Sequence, residues 1–231
     1  MAEPTKHILG SYDSALRNLQ NDLLMMASLC ERNLRNSLGC LLSRDEELCN
    51  VTIADDEEID QLEKTVDKDG IDLLRRFQPV AGDLRHIVAA MKLSSNLERI
   101  ADQAVSIARR AKELNLQPPL KPLIDIPRMA TIATEMLRDT VTAFVEEDPD
   151  LARAIIKRDK EVDEINRQLQ RELTSFMLES PNTITRALQL LTISRNIERI
   201  ADHAKNIAEE VYYLYRASDI RHEGSSGTPG A

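Results

Sequence analysis

The chain has 231 residues, a formal net charge of −9 and a pI near 5.1; aromatic residues are only 3%, with no Trp, and charged residues make up 30%. Few aromatics, with Ala, Leu, Ile and Glu recurring at helical spacing, exclude a sheet-based core and favour long packed helices, and the absence of a basic stripe excludes a nucleic-acid partner. No uncharged apolar run approaches the roughly 18 residues of a membrane span, and Met1 to Gly10 lacks an export-signal pattern, so the chain is read as cytoplasmic, at most peripheral at the inner face of the membrane.

Leu9, Tyr12, Leu16, Leu19, Leu23, Met26, Cys30, Leu34, Leu38 and Leu41 recur at steps of three and four and predict one amphipathic helix over 6–42. Asp45 reads as an N-cap, with Glu46 and Glu47 in the first turn favouring the helix dipole; the second helix then continues to Gln78, with Gly70 as an interior weak point. Pro79 breaks the run, and a third helix covers about 80–114, its seam rich in Ala and Ser. Pro118, Pro119, Pro122 and Pro127 make 116–126 a stiff linker. The cycle then repeats: a helix over 127–145, a second opened by Asp148-Pro149 and reaching Glu179, a turn at Pro181, and a last helix over 183–216. The expected organisation is all-α, with six long helices in two pseudo-equivalent halves at 6–115 and 127–217 and a disordered tail at 218–231. Cys30, Cys40 and Cys49 lack zinc-site spacing, and their odd number argues against a disulfide framework; they are expected to be reduced.

The most informative pattern is a repeat. Asn96-Leu97-Glu98-Arg99-Ile100-Ala101-Asp102 returns as Asn196-Ile197-Glu198-Arg199-Ile200-Ala201-Asp202, so any chemistry it carries should occur twice. Residues i and i+4 share a helix face, and Glu98/Asp102 and Glu198/Asp202 are therefore two-carboxylate pincers. The preceding helices carry Asp56/Asp60 and Asp159/Asp163. Antiparallel helices hinged at Pro79 and beside Pro181 place facing pincers at equal height, four carboxylates in each half.

Such clusters repel and call for a cation. Oxygen donors, with at most His203 nearby, point to iron(III), manganese, magnesium or calcium ahead of copper; iron leads and zinc stays open. Arg99 and Arg199 offer a competing reading, in which the acids form a charge network. A carboxylate-bridged metal enzyme or iron-storage protein is the enzymatic alternative, although ferritin-like sites need Glu-x-x-His pairs and this sequence has none.

Taken in order, Asp56-Glu57-Glu58-Ile59-Asp60-Gln61-Leu62-Glu63, Gln78-Pro79-Val80-Ala81-Gly82-Asp83-Leu84-Arg85 and the two Glu-Arg-Ile-Ala-Asp copies resemble the PhoU family over residues 6–216. The resemblance implies two three-helix bundles in tandem, a homodimer, and metal clusters on the acidic motifs. It also implies a non-enzymatic negative regulator of the phosphate-starvation response, linking the phosphate-specific ABC transporter to a membrane sensor histidine kinase. Carried over by position, the metal ligands are Asp56, Asp60, Glu98 and Asp102, then Asp159, Asp163, Glu198 and Asp202. Gln103 stands where the second copy has His203, and Ser180-Pro181-Asn182-Thr183 departs from the first turn, so the two sites are expected to differ.

Overall fold

A computed structural model describes residues 10–220, and the expectations for residues 6–9 and 221–231 lie outside them. Helix α1, Gly10–Ser43, buries the predicted stripe from Tyr12 to Leu41, with Leu16 and Leu38 partly covered. Arg44 turns the chain in the left-handed region, at φ 57°. Asp45 caps α2, Glu46–Ala54, by accepting from the Glu47 and Leu48 amides. Helix α3 is Asp56–Phe77; Gln78, left-handed at φ 48°, ends it, and α4 runs over Ala81–Asn115. The second half repeats this with α5 Asp125–Val145, α6 Pro149–Ile156, α7 Asp159–Glu179, a 3-10 turn at Pro181–Thr183 and α8 Ile184–Arg216. Asp148 caps α6 as Asp45 caps α2, with Pro149 at the first helical position, where its missing N–H costs nothing. The result is two tandem three-helix bundles built from six long helices, with no strands among the described residues.

Two expected helices are each split. The run from Asp45 breaks at Asp55, and the run from Asp148 breaks at Lys157 and Arg158. At the second break the backbone stays right-handed but tightens: the Lys157 and Arg158 amides donate to Ala154 and Ile155, three residues back. Neither break contains Gly or Pro. Arg32 reaches from α1 to Asp55 at 2.9 Å, and Arg158 holds Glu135 and Asp139 of α5 at 2.5 and 2.8 Å, so tertiary ion pairs mark both kinks. Each kink makes an aspartate, Asp56 or Asp159, the first residue of the next helix, where the helix dipole favours negative charge.

Helices α4 and α8 cross antiparallel at the centre. Lys92 meets Glu210 at 3.0 Å, Asn96 meets His203 at 3.0 Å, Asn196 Nδ2 donates to Ser106 Oγ at 2.8 Å, and Gln189 donates to Glu113 at 2.5 Å. Ile100 and Ile200 are fully buried between the halves' cores, and so are Ala101, Ala104, Ala108, Ala201, Ala204 and Ala208, whose short side chains let neighbouring helices approach. Gly70 is also an approach site: a Cβ there would lie 2.8 Å from Met91 Sδ of α4. Beyond α4, the Arg44 guanidinium donates to the carbonyls of Leu114, Asn115 and Gln117, capping the helix end from the α1–α2 turn.

The cysteines depart from expectation. Cys40 and Cys49 form a disulfide, Cα atoms 5.3 Å apart, while Cys30 stays free and buried, donating to the Leu97 carbonyl at 3.1 Å. Parity could not find this bond, because the Arg44–Asp45 turn is what lays the end of α1 against α2. In the second half the residues 103 positions on are Ala143 and Ala152, also fully buried, so the fold does without a bridge there.

Thiol titration of the unfolded, unreduced protein should therefore find one thiol per chain, and three would rule the bridge out. Closing a nine-residue loop predicts that reductant lowers stability by ~2.5 kcal/mol in urea denaturation, whereas the Cys40→Ala, Cys49→Ala variant folds and is insensitive to reductant.

Candidate metal centre

The eight carboxylates fall into two faces, one on α3 and α4, the other on α7 and α8. On the first, Asp56 opens α3 and Asp60 lies one turn on; Glu98 and Asp102 lie one turn apart on α4. Their mutual influence reports the register. Burial and then the Asp60 and Asp102 charges raise Asp56, and burial followed by Asp102 raises Glu98 to about 7, with Glu63 and Asp60 adding to it. The second face behaves likewise. Burial and then Asp202, Asp163 and Asp159 raise Glu198; burial and then Asp159 raise both Asp163 and Asp202. The eight predicted residues thus lie four on α3 and α4 and four on α7 and α8.

Each face also holds a cation of its own. Arg99 Nε lies 3.2 Å from Glu98 Oε2, without hydrogen-bond alignment, and its Nη1 donates to Asp102 Oδ2 at 3.3 Å. This is the charge-network reading realised within one repeat copy. Arg199 does not repeat it; instead Lys205 Nζ donates to Asp159 Oδ2 at 2.7 Å and lies 3.9 Å from Asp202 Oδ1. Sequence reasoning missed Lys205, although its position three residues after Asp202 was a readable signal for an ion pair. It also missed Glu63, whose pKa is raised by burial and then by Asp67.

His203 belongs elsewhere. Asn96 donates its own amide to the Lys92 carbonyl, which leaves its Oδ1 to accept from His203 Nδ1 across the α4–α8 contact. Burial, then Arg99 and Arg199, lower the His203 pKa. It braces the two halves and does not face the carboxylates. His86 is satisfied by the Gly82 carbonyl at 3.1 Å.

The donor chemistry suits a hard cation: every predicted ligand is a carboxylate, and Asp159, 4% exposed, has a buried Oδ1 with no hydrogen-bond partner. In this arrangement no three His, Cys, Asp or Glu among the described residues converge as a ready metal-holding group, and side-chain cations already hold Asp102 and Asp159. A metal ion would compete with Arg99 and Lys205.

A duplicated three-helix bundle that carries one acidic face per copy defines an all-helical class of repeat protein. A family model described as "PhoU domain" matches the chain twice, at residues 23–111 and 126–211, and the chain belongs to that family. It is 36% identical over 222 residues to the phosphate-specific transport system accessory protein PhoU homolog of Pseudomonas putida, covering 95% of this chain and 86% of that one. The homologue of Aquifex aeolicus is 39% identical over 208 residues, covering 90% and 94%. Among solved structures, PhoU from Pseudomonas aeruginosa superposes with a TM-score of 0.87 at 34% identity, covering 90% of this chain and all of that one. The phosphate transport system regulatory protein PhoU from Streptococcus pneumoniae gives 0.82 at 27% identity, covering 90% and 99%.

The raised Glu98 pKa sets a pH dependence. A carboxyl that holds its proton more tightly when folded contributes stability that is complete below about 4.5 and lost as pH rises through about 7. In chelator, thermal melts should show the Glu98 contribution to stability falling between about pH 4.5 and pH 7 in the wild type and a flatter profile over that range in Glu98→Gln; parallel profiles would contradict this electrostatic account.

Proposed function

We propose that this chain is a cytoplasmic, non-enzymatic, metal-binding regulator of phosphate uptake. In this reading it restrains the phosphate-starvation response as a homodimer, joining a phosphate-specific ABC transporter to a sensor histidine kinase at the membrane. The observation that carries the metal part is the doubled acidic face, in which five carboxylates of the predicted eight hold raised pKa values. Support for the phosphate part comes from relatives covering most of the chain that are named phosphate-specific transport system accessory proteins. No helix among the described residues is long and apolar enough to cross a membrane, which agrees with a peripheral adaptor.

Asp56, Asp60, Glu98 and Asp102 would hold the cation on the first face, and Asp159, Asp163, Glu198 and Asp202 on the second. Iron leads, followed by manganese, magnesium or zinc. The bound ion would neutralise charge that the bundle otherwise meets with Arg99 and Lys205, and so would tie α3 to α4 or α7 to α8.

Elemental analysis should find metal in the wild type after reconstitution and none in the variant combining Asp60→Asn, Asp102→Asn, Asp163→Asn and Asp202→Asn. An ion present at a hundred times its Kd should raise stability by ~2.7 kcal/mol per site. Metal-free wild type, or metal retained by the variant, would remove the metal from the proposal. Deleting the gene should release phosphate-dependent repression, and catalytic turnover lost in the same variant would favour the enzymatic alternative.

A further inference from the structure

The two acidic faces are not equivalent, and the difference lies in one position. Lys205, 30% exposed, places Nζ between Asp159 and Asp202, and Asp159 is 4% exposed at the head of α7. A carboxylate that far from water requires a cation, and the lysine supplies one through a charge-assisted hydrogen bond. One hundred residues earlier the same helix position is Val105, which is buried and apolar. Asp56, the counterpart of Asp159, is only partly buried and has no ion pair among the described residues; Arg109 acts on it at longer range.

On the first face the competing cation is Arg99. It lies at the rim with its side chain 58% exposed, and it touches Glu98 and Asp102 at 3.2 and 3.3 Å. Its one aligned hydrogen bond goes to Asp102, whose side chain is 44% exposed, so Arg99 can leave for water without breaking a hydrogen bond to an enclosed carboxylate. Lys205 cannot, because its departure leaves Asp159 enclosed and unpaired. A tethered ammonium also competes at a high effective concentration, whereas a free ion competes at its bulk concentration.

We propose that Lys205 is the built-in counter-ion of the second face and determines its specificity: it satisfies Asp159 and Asp202 in place of metal, so that divalent metal binding is confined to the first face. The inference rests on the metal-binding reading above. In effect one half carries a permanent cation and the other an exchangeable one, and metal availability would change only the α3–α4 side of the molecule.

The test is equilibrium dialysis of the full chain against Mn2+, with metal per chain read by elemental analysis. In the wild-type background, Asp102→Asn should abolish binding and Asp202→Asn should leave it unchanged; this comparison needs no change at Lys205. Lys205→Val, which copies the first repeat, and Lys205→Met, which keeps the side-chain length, should each gain metal that is then lost on adding Asp202→Asn. The second face should tighten at least tenfold toward Mn2+. Metal lost from the wild type through Asp202→Asn, or unchanged metal in both Lys205 variants while Asp102→Asn still removes it, would overturn the inference and leave the metal reading standing. Absence from every protein of Mn2+, and of iron after reconstitution with it, would overturn both.

Discussion

The antiparallel register of α4 on α8 determines where both acidic faces lie. Four polar contacts fix it, from Lys92–Glu210 at one end to Glu113–Gln189 at the other, with Ile100 and Ile200 buried near the middle. A slip of one helical turn would cost these contacts and press larger side chains into positions now held by alanine. With α4 and α8 locked, α3 and α7 pack against them, and their first residues, Asp56 and Asp159, come level with the Glu-Arg-Ile-Ala-Asp copies. The acidic faces are therefore consequences of the central contact and of the two turns that hinge α3 and α7.

Within that frame the electrostatics are deliberately uneven. Both faces concentrate carboxylates whose protons are held more tightly than usual, and each contains a side chain that can offset the charge. Repulsion among four acids would otherwise oppose folding, although each exposed pair alone is worth only a few tenths of a kcal/mol. Arg99 sits outside its cluster and Lys205 inside. That distinction, which a count of charges cannot register, separates a face open to exchange from one already closed.

Much of this was legible in the sequence. The helical periodicity, the capping aspartates Asp45 and Asp148 and the prolines near the turns point to the six long helices, and the turns at Pro79 and beside Pro181 put the acidic pairs on neighbouring antiparallel helices. What escaped depends on contacts between distant segments. The kinks at Asp55 and at Lys157–Arg158 contain no helix breaker and are marked by ion pairs to α1 and α5. The Cys40–Cys49 bond requires knowing how sharply the chain turns at Arg44. His203 was counted near the carboxylates because it follows Asp202, yet one step along a helix is about 100° of rotation, enough to aim it at Asn96 in the other half.

Asn96–His203 has no mirror image. Its counterpart by the internal repeat would join Asn196 to Gln103, but Asn196 bonds to Ser106. The two halves therefore cannot trade places about the axis that relates them, and the single chain behaves as two unlike halves covalently joined. A molecule approaching along that axis meets different chemistry at each end and has only one way to sit.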